Sequence, residues 1–79
     1  MNTVINFIEE GVRLVVHYKH NKRHDDDDSY LMVLVELNMM YTNAQIELAR
    51  DNASKYEYNE LHEIYEDYMN ELERVYCLS

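Results

Sequence analysis

The chain has 79 residues, with 16 Asp and Glu against 7 Lys and Arg, and a net charge of -9 at pH 7. This length holds one domain, residues 1–79. The charge argues against direct nucleic-acid contact, where Lys and Arg supply most of the affinity, and against an anionic membrane surface. A single cysteine, Cys77, rules out an intramolecular disulfide and suits a reducing compartment.

The apolar share of 47%, with eight Tyr, is too high for a disordered acidic tail. The absence of Pro and a single Gly suit long helices. The longest apolar run, residues 30–35, is far short of a membrane span. The N-terminus lacks a basic segment followed by an apolar core, which predicts no signal peptide and a cytoplasmic protein, in the host cell if phage-encoded.

The first helix is expected over residues 2–21. On a helical wheel Asn2, Asn6, Glu9, Glu10, Arg13, His17 and His20 share one side. Val4, Ile5, Phe7, Ile8, Val12, Leu14, Val15, Val16 and Tyr18 fill the rest, an arc of roughly 200° at 100° per residue. Asn2 or Thr3 can serve as N-cap. Gly11 falls inside the apolar arc; it weakens the helix by about 1 kcal/mol relative to Ala but allows close approach of another helix. A competing pattern exists. Val12, Leu14, Val16 and Tyr18 alternate, as do Leu31, Val33, Val35 and Leu37, which also suits a β-hairpin following a short first helix. The helical period runs from 2 to 21 without a phase break and is preferred.

The linker covers residues 22–28. Lys19, Lys22 and Arg23 end the first helix and the acids at 25–28 precede the second, both favourable to the helix dipoles. Asp28 or Ser29 is the expected N-cap. His17, His20 and His24 recur at i, i+3 and i+7, a spacing that could hold zinc. Arg13, Lys19, Lys22 and Arg23 crowd the same end and oppose a divalent cation, so neither a metal nor another cofactor is expected.

The second helix is expected over residues 29–52. Tyr30, Val33, Leu34, Leu37, Tyr41, Ala44 and Leu48 form one stripe, with Glu36, Asn43, Glu47 and Arg50 opposite. Met32, Met39, Met40 and Ile46 lie off that stripe. Thr42-x-x-Gln45 resembles a capping box that could divide the helix.

The third helix is expected over residues 54–78. Ser54 and Glu57 form a capping box. Tyr58, Leu61, Ile64, Tyr65, Tyr68, Leu72, Val75 and Tyr76 form its apolar stripe. A short connection makes helices two and three an antiparallel hairpin, and the fold class is an all-α three-helix bundle. The apolar arc of helix one exceeds what two neighbours need. Phe7, Leu14, Tyr18, Met39 and Met40 are therefore the expected oligomer interface, with a homodimer the simplest outcome.

Glu60, Glu63, Asp67 and Glu71 form an acidic ridge on helix three, widened by Glu57 and Glu66 and flanked by outward-pointing Tyr56. Successive carboxylates lie roughly 5–6 Å apart, close to the phosphate spacing of a nucleic acid. Two functions fit. In the first, the ridge docks on a basic surface that binds nucleic acid and blocks it as a DNA mimic. Inhibitors that phages make against host defence or transcription are analogous in class only. In the alternative, the acids solubilise the chain, and it is a homo-oligomeric structural or regulatory subunit whose interface is the apolar surface of helices one and two. No phosphate loop, nucleophile elbow or zinc-protease motif occurs, and a raised carboxyl pKa would need burial, so the chain is read as a non-enzyme.

Overall fold

In a computed structural model, which describes residues 2–21 and 26–78, the chain forms α1 (Thr3–His20), α2 (Asp27–Arg50) and α3 (Lys55–Cys77). Each helix packs against both others, in a bundle about 41 Å long. The described residues contain no strand, so the alternation at residues 12–18 and 31–37 belongs to helices. The hairpin pattern fails because Val15, set between those alternating residues, is itself a core residue. No helix is long and apolar enough to cross a membrane.

The helix ends follow local chemistry. The Asn2 side chain accepts from the backbone N–H groups of Val4 and Ile5, which settles the N-cap of α1. The cap of α2 is Asp26, upstream of Asp28 and Ser29, and its carboxylate accepts from the N–H of Asp28. Asp27 and Asp28 then fall in the first turn, where the positive end of the helix dipole favours them. His24 and Asp25 lie outside the described residues, and with them part of the histidine cluster and of the acidic run. α2 runs unbroken through Thr42 and Gln45, because no Pro or Gly forces an exit from the helix.

The α2–α3 connection is a Schellman turn. The N–H of Ala53 donates to Leu48 and that of Asn52 to Ala49, with Asn52 at φ 53° in the left-handed region. Asn tolerates that region better than other non-glycine residues. Ser54 follows at once with the full capping box to Glu57, so the chain reverses in four residues.

Phe7, Val15, Tyr18, Val33, Leu37, Leu48, Leu61 and Leu72 form the core with Ala44. The rings of Phe7 and Tyr68 lie 5.9 Å apart and those of Phe7 and Tyr41 6.1 Å apart, joining all three helices. Tyr41 stacks on Tyr65 and Tyr30 on Tyr76, each at 4.1 Å, which zips α2 to α3. Such pairs contribute about 0.5–1.5 kcal/mol beyond the area they bury. Gly11 sits under the Tyr68 ring, whose hydroxyl donates to the Ile8 carbonyl at 2.7 Å.

The tyrosine hydroxyls predict an alkaline limit. The hydrogen bond from Tyr76 to Asp27, then burial, pushes the Tyr76 phenol up to about 12. Burial raises Tyr30, with Glu73 and Cys77 adding, and raises Tyr41 and Tyr68, with Tyr65 and Glu66 or Asp67 adding. A phenol whose pKa is higher in the folded state holds its proton more tightly there than in the unfolded chain. Its contribution is therefore complete below about pH 10 and lost as pH rises towards 12. Tyrosinate absorbance and helical ellipticity should change together across that window. Full ionisation near pH 10 with the helices intact would contradict it.

Candidate interaction surfaces

The outward side of α3 carries the acids, because its inward side is occupied by Leu61, Leu72 and the tyrosines. Glu63 and Asp67 are exposed and Glu60 is half-exposed. None of these three has a hydrogen-bond or ion-pair partner among the described residues. One helical turn separates each from the next, so three carboxylates stand in file.

The rest of the expected ridge is otherwise engaged. Glu71 is bonded to Arg74 and, at 3.0 Å, to Lys19 of α1. Hydrogen bonds from Arg74 and Lys19 hold its carboxyl below the usual range. Glu57 closes the capping box through the Ser54 N–H, and Glu66 pairs with His62 at 2.9 Å. Tyr56 is exposed beside the ridge at 73%. The free ridge thus spans Glu60, Glu63 and Asp67, and its far end is neutralised by a base from another helix.

Helical spacing also brings together a second polar line, centred on His62. His62 meets Glu66 through Nε2, while its Nδ1 lies 3.1 Å from the Tyr41 hydroxyl. Burial, then Tyr65 and Glu66, raises the Tyr41 pKa, so this hydroxyl stays protonated near neutrality. The line works as a clasp between α2 and α3. The i, i+4 pair of His62 and Glu66 was its visible signal; the Tyr41 partner was not legible.

The apolar surface differs from the expected one. Phe7 and Tyr18 are 3% and 2% exposed, so they belong to the core and are unavailable as an oligomer surface. The reason is their position on α1, which places both at the meeting line of the other two helices. Leu14 and Met40 are half-buried against the core. Of the five residues only Met39 is exposed, and it lies on the outer side of α2 with Leu31, Met32, Val35 and Ile46. On α1, Ile5, Val12 and Val16 are about half-exposed. Leu31 and Val35 were missed by the sequence reading. Their signal was the seven-residue recurrence of Met32, Met39 and Ile46, beside which both residues sit.

Surface grooves are modest. One between α1 and α2, lined by Thr3, Asn6, Phe7, Glu10, Met40 and Glu47, holds about 210 Å³, and another, on the outer side of α2 by Val35 and Met39, about 320 Å³. These volumes lie below or at the lower end of the usual range of small-molecule sites. The described residues hold no cluster of three His, Cys, Asp or Glu side chains arranged to bind a metal. No family model, no curated protein and no solved structure matches this chain.

Proposed function

We propose that this chain is a small acidic binding protein that docks its α3 ridge on the basic surface of a nucleic-acid-binding protein and blocks that surface. The observation that carries the reading is the file of Glu60, Glu63 and Asp67, unpaired among the described residues and held on a helix anchored by a capping box. Three carboxylates without counter-ions repel one another and gain from a partner's Lys and Arg. A helix pinned at its N-terminus and packed through its tyrosines presents them with little ordering cost.

The chain immobilised on beads in an extract of its source organism should capture a nucleic-acid-binding protein at low salt. Raising the salt or adding duplex DNA should release it. The double substitution Glu63→Lys and Asp67→Lys should reduce affinity at least about tenfold, since reversing two charges at a complementary interface costs more than 1.4 kcal/mol. Both positions are exposed, and retained helicity would confirm that the variant folds. Capture unaffected by salt, DNA and charge reversal would reject the ridge as the binding surface.

Self-association is the second reading, supported by a separate observation. α2 exposes Leu31, Met32, Val35, Met39 and Ile46 along one side, at 46–73% each. A run of large apolar side chains left in water is characteristic of an interface.

A further inference from the structure

We infer that two copies of this chain pair through the outer face of α2, antiparallel about a two-fold axis near Met39. The inference rests on the self-association reading and gives it a surface and an orientation.

The spacing is the first argument. Met32, Val35, Met39, Thr42, Ile46 and Ala49 follow one another in alternating steps of three and four residues. That is the rhythm of a coiled-coil seam, which keeps one narrow stripe facing a partner helix. The stripe lies on the side of α2 opposite Val33, Leu37, Ala44 and Leu48, which fill the core. α2 is therefore apolar on two opposite sides, and the bundle covers only one of them.

Charge selects the occupant. Between residues 29 and 49 the charged residues are Glu36 and Glu47, and both sit on the α1 side of the helix. Glu47 accepts from Thr3, and Glu36 lines a second α1–α2 groove with His17. The seam itself offers a basic partner nothing to pair with. A second copy of a chain with net charge -9 is repelled by the acidic faces and least by this one. One flank carries the amides Asn38 and Gln45; the other carries Glu36, Asn43 and Arg50, and antiparallel pairing about Met39 sets Glu36 beside an amide rather than against its own copy.

Charge also selects the orientation. Asp27 and Asp28 begin α2 and Arg50 ends it. Parallel pairing would set Asp28 against its own copy at the head of the seam. Antiparallel pairing sets that acidic end beside Arg50 of the second copy, although Asp51 caps the same end, and opposes the helix dipoles favourably. The midpoint of the helix is then the axis, and Met39 lies there.

The area is adequate. The exposed parts of Leu31, Met32, Val35, Met39 and Ile46 come to roughly 500 Å² per chain, and the amides and Thr42 beside them bring the footprint towards the ~800 Å² per partner of a standard interface. Since the seam is on the side of α2 away from the bundle, the dimer would leave both α3 ridges free.

The test combines mass and cross-linking. Sedimentation equilibrium of the intact chain should give twice its 9.6 kDa mass, with little dependence on salt. Val35→Glu and, separately, Met39→Lys should return the mass to that of one chain with helicity unchanged, because both positions are exposed. With Cys77→Ser as background, Met39→Cys should form an intermolecular disulfide. Met32→Cys should cross-link with Ile46→Cys in a mixture but not with itself. A single-chain mass at the highest soluble concentration would overturn both the inference and self-association. A dimer that survives Val35→Glu and Met39→Lys would overturn the seam while leaving self-association standing. Efficient self-cross-linking of Met32→Cys would overturn the antiparallel arrangement.

Discussion

Leu61→Ala is expected to remove about 2–5 kcal/mol of stability, the range for emptying a fully buried leucine site. Leu61 is 0% exposed, and among the described residues Leu37 and Leu72 are the other large side chains that are completely enclosed. A 79-residue domain has roughly 4–12 kcal/mol in total at 0.05–0.15 kcal/mol per residue, so this one change removes a large fraction of it. The loss combines the transfer of the removed carbons, about 0.8 kcal/mol per methylene, with the cavity left behind. Tyr56→Ala on the same helix makes the comparison, since Tyr56 is 73% exposed and should change stability by no more than about 0.5 kcal/mol. Urea unfolding of the two variants measures the difference. Equal effects would mean that α3 packs with the wrong face inward.

The three helices were legible because the inward positions recur at helical spacing in every segment. The third was the clearest, since Ser54 and Glu57 announce its start and its outward positions are polar nearly throughout, with carboxylates recurring at Glu63, Glu66, Asp67 and Glu73. The first helix was harder. Its apolar arc is so wide that a wheel cannot say which edge meets a neighbour. The bundle buries Phe7 and Tyr18 and leaves Ile5, Val12 and Val16 about half in water. That choice depends on where α2 and α3 arrive, which is a property of the tertiary packing rather than of the segment. The ridge was legible as a pattern but not as a free charge, because Lys19 reaches Glu71 from another helix. α2 misled for a different reason. Two apolar stripes on opposite sides cancel in any single-face reading, so its outer residues looked like scattered methionines rather than a seam.

Gly11→Ala carries a prediction whose sign depends on a second residue. On an open helix face the substitution stabilises by about 1 kcal/mol, because Ala loses less backbone freedom than Gly. Here a Cβ at position 11 would lie 2.1 Å from the Tyr68 ring, well inside contact distance. The ring cannot swing away freely. Its hydroxyl is bonded to the Ile8 carbonyl one turn from Gly11, and its face meets Phe7 at 5.9 Å. Relieving the clash breaks that hydrogen bond, worth about 0.5–1.5 kcal/mol net, or forces α1 and α3 apart, with overpacking costs of about 1–3 kcal/mol. The balance favours a net loss of about 1–2 kcal/mol for Gly11→Ala in the intact chain. In a Tyr68→Ala background, itself destabilised by several kcal/mol, the same change should instead gain about 1 kcal/mol, because only helix propensity is left to act. The double-mutant cycle therefore yields a coupling of about 2–3 kcal/mol between two residues far apart in sequence. Additive effects would mean that α1 and α3 do not approach at Gly11, and that the glycine is a weak point in α1 with no packing role.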